Sequence, residues 1–121
     1  MSLIAVVEDN ADNRLLLQAI LEDSYSLVEY DTGVAALEGM ANQVPDLILL
    51  DISLPGMDGL AVLQHVRADA RLSGIPVIAL TAHAMLGDRE SFLAAGFNGY
   101  LTKPIIDEHL LLRTIAEGLT T

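Results

Sequence analysis

Cysteine and tryptophan are absent from this 121-residue chain, lysine occurs once, and Lys and Arg together number 6 against 17 Asp and Glu. Without cysteine there are no disulfides, no thiolate metal sites and no thiol nucleophiles, which suits a reducing compartment, and a cytoplasmic location is expected. A net charge of −11 repels phosphate backbones and argues against direct nucleic-acid binding. No apolar run approaches the roughly 20 residues that span a bilayer, and Met1-Ser2-Leu3 lacks the basic stretch of a signal peptide, so no membrane insertion is expected. Aromatic residues make up only 4% of a composition that is 52% hydrophobic, so the core must be built from Leu, Ile, Val and Ala. The length fits one domain over residues 1–121.

Short continuous apolar runs alternate with longer stretches of helical spacing. The runs are Leu3 to Val7, Leu47 to Leu50 and Pro76 to Leu80, and such runs mark strands buried on both faces. Weaker strand signals lie at Ser26 to Tyr30 and Asn98 to Leu101. Helices are expected at about Asp12 to Asp23, Gly33 to Asn42, Gly59 to Arg67, Ala84 to Ala95 and Asp107 to Gly118. In the first, Leu17, Ile20 and Leu21 share a face and Asp12 is placed to cap; in the third, Leu60, Leu63 and Val66 line a face behind an Asp58 cap. Gly96 suits a helix end that needs positive φ. Five strands alternating with five helices make an α/β fold, a parallel sheet with helices on both faces and ligands outside the carboxyl ends of the strands.

The chemistry-bearing residues fall at those ends. Glu8 and Asp9 follow the first strand and Asp51 the third, and strands about 4.8 Å apart would bring the carboxylates into one pocket. Their mutual repulsion calls for a cation, and an all-oxygen donor set suits Mg²⁺, with Mn²⁺ as a substitute. Mg²⁺ held by few carboxylates keeps room for phosphate oxygens, so Asp51 reads as a nucleophile forming an aspartyl-phosphate, with Glu8 and Asp9 as metal ligands. Lys103, the single lysine, would bring a movable charge to the phosphoryl oxygens, and Thr81 a hydroxyl donor. His65, His83 and His109 are too scattered for a metal site, and His65 and His109 belong on helix surfaces. Leu110, Leu111 and Leu112 read chiefly as core, with some of them available to a partner or dimer surface.

Val7-Glu8-Asp9-Asn10, Asp51 with Leu54-Pro55-Gly56-Met57-Asp58-Gly59, Thr81-Ala82 and Tyr100-Leu101-Thr102-Lys103-Pro104, in this order and spacing, resemble the receiver domain of two-component response regulators over essentially the whole chain. The resemblance implies a doubly wound (βα)5 fold of the flavodoxin or CheY-like type, with strand order 2-1-3-4-5. It implies a phosphorylation-activated switch: Asp51 takes a phosphoryl group from a sensor histidine kinase or histidine phosphotransfer protein, with Mg²⁺ held by Glu8, Asp9, Asp51 and the backbone carbonyl of Ser53. It further implies a cis Lys103-Pro104 bond, and a switch pair of Thr81 and Tyr100 acting on a partner face of helix 4, strand 5 and helix 5. Homodimerisation is a further option. Ser53 and His83 stand where the family tunes dephosphorylation, and Glu8 stands where many members carry Asp. The segments Val7-Glu8-Asp9-Asn10 and Thr81-Ala82-His83-Ala84-Met85 are most similar to receivers of hybrid kinases and phosphorelays.

Such a domain catalyses its own phosphotransfer and hydrolysis without turning over an external substrate. One alternative is an unphosphorylated adaptor built on the same fold. An enzyme alternative, a haloacid-dehalogenase-like phosphatase, resembles the family in its aspartyl-phosphate chemistry, but its second Asp is replaced here by Ser53. A dinucleotide-binding reading fails at Glu8-Asp9-Asn10-Ala11, where a Gly-rich loop would have to stand.

Overall fold

Alternate residues of a strand point to opposite faces, so an unbroken apolar run can be satisfied only between two layers of helices. The computed structural model, which describes residues 1–82, 88–103, 105 and 107–120, and of residues 88 and 89 the backbone alone, has this arrangement. The elements in order are β1 (Leu3–Val7), α1 (Ala11–Leu21), β2 (Ser26–Tyr30), α2 (Gly33–Asn42), β3 (Leu47–Asp51), α3 (Gly59–Ala68), β4 (Val77–Thr81), α4 (Asp88–Ala95), β5 (Gly99–Thr102) and α5 (Glu108–Leu119). All neighbouring strands are parallel, in the order β2-β1-β3-β4-β5. The expected (βα)5 fold and strand order are therefore those observed.

Ala5, Val7, Ile48, Leu50, Val77 and Ala79 face one layer, packed with Ala36, Met40, Val62, Leu63 and Val66 of α2 and α3. The intervening residues Ile4, Val6, Leu47, Leu49, Ile78 and Leu80 face the other, against Leu17 and Leu21 of α1 and Leu111 and Ile115 of α5. Val7 stands opposite Leu50, Asp51 opposite Leu80 and Thr81 opposite Thr102, which brings the tips of four strands level at one edge.

Several local expectations are corrected. Helix α1 starts at Ala11, because the extended backbone of Asn10 lets its side chain, and not that of Asp12, accept the Asn13 N–H at 3.0 Å. The helix closes at Leu21, short of Asp23. Strands β3 and β4 run one residue further than their apolar runs and take in Asp51 and Thr81. Asn98 precedes β5; its Oδ1 accepts the Val77 N–H at 2.8 Å. Of the expected face of α3, Leu63 and Val66 are buried but Leu60 is exposed. The buried stripe is Gly59, Val62, Leu63 and Val66, one residue out of phase with Leu60. Asp58 caps α3 as expected, accepting the Ala61 N–H at 2.9 Å. Of α4, expected from Ala84, the part Asp88–Ala95 is helical, and residues 83–87 lie outside the described residues.

Two glycines are fixed by their backbones. Gly96 ends α4 with φ at 115°, the left-handed conformation anticipated for it. Gly59 lies so close to the end of β3 that a Cβ would stand 2.7 Å from Ile52 Cα and collide with the Asp51 carbonyl oxygen. This contact seats the start of α3 directly behind Asp51.

Candidate functional site

Asp51 ends β3 and is 1% exposed, although a carboxylate is rarely left so deep without partners. Its Oδ1 accepts the Ser53 N–H at 2.9 Å in a turn two residues long, and its Oδ2 accepts Lys103 Nζ at 3.0 Å. Lys103 follows β5, where its own N–H is tied to the Thr81 carbonyl at 2.7 Å, and its ammonium also reaches Glu8 Oε1 at 3.1 Å. One lysine thus bridges two buried carboxylates. Asp9 is exposed, yet Glu8, Asp9 and Asp51 can each present an oxygen within 4.8 Å of the others.

Glu8 is fully buried, and its Oε2 accepts no hydrogen bond among the described residues. Burial pushes the Glu8 carboxyl up to about 7, and the neighbouring Asp51 adds to the rise against the lowering donors Lys103 and Asn13. For Asp51 burial acts in the same upward direction, but the neighbouring Glu8 and the hydrogen bonds from the Ser53 N–H and Lys103 together hold its carboxyl below the usual range. Burial alone would depress Lys103; its bonds to Asp51 and Glu8 outweigh that and raise it. The environment thus favours the proton on Glu8 over Asp51 and keeps Asp51 ionised, the state a nucleophilic carboxylate needs.

The sign of the pH dependence follows. Glu8 in the fold titrates above its ordinary 4.5, so its contribution to stability is complete below about 4.5 and is lost as pH rises through about 7. Asp51, lowered, contributes in the opposite sense, above its ordinary range. Between those limits Glu8 governs, and the metal-free protein should melt at lower temperature at about pH 8 than at about pH 5. A melting temperature that rises over this interval in metal-free buffer would contradict this balance.

Thr81 is buried at the end of β4, and Ser53 is exposed. Tyr100 is half-buried on β5 and lies against Phe92 of α4 with ring centroids 5.5 Å apart; Phe92 also meets Phe97 edge to face at 5.8 Å. Three of the chain's five Phe and Tyr residues thus gather beside the last two strands. Tyr100 also lines a groove of about 390 Å³ with Leu110, Thr114 and Glu117. In α5 Leu111 is buried while Leu110 is 39% exposed, and His65 and His109 are exposed, as expected. His83 and Pro104, with the expected cis bond, lie outside the described residues. The sequence reading missed Asn13, Arg14 and Phe92. Asn13 Nδ2 donates to Glu8 Oε1 at 2.8 Å and Arg14 Nη1 to the Glu8 carbonyl at 2.7 Å. Nothing in their spacing sets them apart from other polar residues of a first helical turn.

The family profile of the response regulator receiver domain matches residues 4–115. The chain belongs to this family. Among similar proteins, the signal transduction histidine-protein kinase BarA of Escherichia coli strain K12 is 45% identical over 109 residues, which are 88% of this chain and 12% of that protein. The polar-differentiation response regulator DivK of Brucella ovis is 42% identical over 103 residues, 84% of each chain. The receiver thus spans about 12% of the length of the sensor kinases it matches and most of the length of the single-domain regulator. In structure it is similar to the receiver domain of the sensor histidine kinase PA1611 of Pseudomonas aeruginosa PAO1, solved with magnesium in its active-site cleft, with a TM-score of 0.88 and 36% identity over 99% of this chain and 98% of that one. Among the described residues no helix is long and apolar enough to cross a membrane.

Proposed function

We propose that this receiver is a phosphorylation-driven switch in which Asp51 accepts a phosphoryl group from a phosphohistidine on a sensor histidine kinase or histidine phosphotransfer protein. The observation that carries the reading is the single ammonium of Lys103 bridging Glu8 and Asp51 at 3.1 and 3.0 Å, with Asp9 beside them. The donor set fits Mg²⁺, or Mn²⁺: three carboxylates converge, all ligands are oxygen, and one buried oxygen, Glu8 Oε2, has no donor among the described residues. Glu8, Asp9, Asp51 and the Ser53 carbonyl would hold the ion. When bound, it neutralises charge on the transferring phosphoryl group.

The chain's own residues do the rest. Asp51, kept ionised, supplies the attacking oxygen; the P–N bond of the donor breaks as the P–O bond to Asp51 forms, and the electron pair leaves on the imidazole nitrogen. Lys103 exchanges its Asp51 contact for a phosphoryl oxygen, and the Thr81 hydroxyl donates to another. Movement of Thr81 releases space at the β4 tip, and Tyr100 turns inward from the Phe92 contact, which reshapes the groove between β5 and α5 and the adjoining face of α4. That face meets the downstream partner or a second copy. Ser53 and His83 set water access and hence the lifetime of the phosphoryl group. Ser53 stands where a phosphatase of the haloacid-dehalogenase type needs its second Asp, which supports a switch over a turnover enzyme. The domain works in the cytoplasm, and the proteins it resembles include both a single-domain regulator and longer kinases.

Addition of Mg²⁺ and beryllofluoride to ¹⁵N-labelled protein should move the amides of Ser53, Ala82, Tyr100 and Lys103 together, and neither reagent alone should do so. An unchanged spectrum with both present, or the same change in Asp51→Asn, would overturn the reading. Mg²⁺ must also displace the Glu8 proton, so its affinity should strengthen from about pH 5.5 to about pH 8, as titration calorimetry would show.

A further inference from the structure

We infer that Asn13 is a positioning residue of the metal site, holding the Glu8 carboxylate so that Oε2 alone faces the cation. The inference rests on the Mg²⁺ reading above and deepens it. Every other polar atom of Glu8 is already engaged. Its N–H donates to the Tyr30 carbonyl at 3.0 Å, its carbonyl accepts Arg14 Nη1 at 2.7 Å, and Oε1 accepts both Asn13 Nδ2 at 2.8 Å and Lys103 Nζ at 3.1 Å. Oε2, fully buried, accepts nothing among the described residues.

Asn13 and Lys103 are not equivalent partners. Lys103 divides its ammonium between Glu8 and Asp51, and its charge opposes a cation arriving between them. The Asn13 amide makes no other side-chain hydrogen bond among the described residues, and, being neutral, it fixes the carboxylate without cancelling the charge that binds metal. Its backbone is itself anchored, since its N–H is held by the Asn10 cap at 3.0 Å. Glu has one more rotatable bond than Asp, and a metal ligand that must be immobilised on binding loses affinity for each torsion left free. When Lys103 turns to a phosphoryl group, Asn13 remains as the donor on Oε1, so the metal arm keeps its orientation through the cycle. Outer-shell hydrogen bonds of this kind govern metal affinity in other sites by orienting the ligand.

The test is Mg²⁺ affinity by titration calorimetry on the full chain, with metal-free melting temperatures alongside, for the wild type, Asn13→Ala, Asn13→Leu, Glu8→Asp and the double variant Glu8→Asp with Asn13→Ala. Asn13→Ala and Asn13→Leu should each weaken Mg²⁺ binding about tenfold while the metal-free protein still melts cooperatively. In the Glu8→Asp background, where the shorter arm falls short of the amide, Asn13→Ala should change the affinity by less than about twofold. Unchanged affinity in both single Asn13 variants overturns the inference, as does an equal loss with and without Glu8→Asp. Failure of the wild type to bind Mg²⁺ is a different result, which removes the metal reading itself.

Discussion

Lys103→Met, which keeps the side chain's length and removes its charge, should destabilise the metal-free protein by about 3 kcal/mol near about pH 8 and by far less near about pH 5. The difference arises because the lysine is the only cation bonded to two buried carboxylates among the described residues. With it gone, two negative charges remain desolvated at high pH, whereas at low pH Glu8 takes up a proton and the repulsion disappears. Urea denaturation at the two pH values measures the effect, and equal losses would contradict it. Two functional consequences of opposite sign are expected from the same change. Mg²⁺ affinity should strengthen, because a competing charge has left, while phosphorylation of Asp51 by a small phosphodonor should slow by roughly 100-fold or more, because a donor aimed at the transferring group is lost. A parallel fall in both would mean that Lys103 acts by holding the fold together.

The second large effect lies away from the site. Arg67, on α3, uses all five of its N–H groups: Nε and Nη2 on the Gly96 carbonyl at 3.1 and 2.8 Å, Nη2 also on Asn98 Oδ1 at 2.9 Å, and Nη1 on the carbonyls of Ser73 and Ile75 at 3.0 and 2.7 Å. The guanidinium ties the end of α3 to the turn before β4 and to the turn between α4 and β5. Arg67→Met should cost about 3 kcal/mol and lower the melting temperature by roughly 10 °C, since charge-assisted bonds contribute about 1.5–3 kcal/mol each but the outer carbonyls regain water. Arg67→Lys should recover less than half of this, because an ammonium cannot span the fork. A loss below about 1 kcal/mol would show that the turns hold themselves.

The contrast between these two residues explains what the sequence discloses. Asp51, Glu8 and Asp9 were legible because each stands at the end of an apolar run, and in a parallel sheet that position has one geometric meaning; Lys103 was legible as the chain's single lysine, shortly after the fifth strand. The strands were legible for the same reason: burial on both faces leaves no polar alternation, as in Leu47 to Leu50, all fully buried. Arg67 was not legible, since all but one of its bonds go to backbone carbonyls about six to thirty residues away, and carbonyls carry no side-chain signature. Asn13 was hidden differently: the side chain that caps α1 and the one that braces Glu8 are both asparagines, three residues apart, and only the helix start at Ala11 decides which does which. Leu60 was misplaced because Gly59, which has no side chain, occupies the buried stripe that periodicity assigns to the first leucine.

Phosphoryl capture at Asp51 is read from the intact mass after incubation with acetyl phosphate. With Mg²⁺ present the wild type should gain one phosphoryl group, and neither the chelator-treated wild type nor Asp51→Asn should gain any. An adduct that persists in Asp51→Asn, or none in the wild type under conditions where Mg²⁺ is seen to bind, would contradict it.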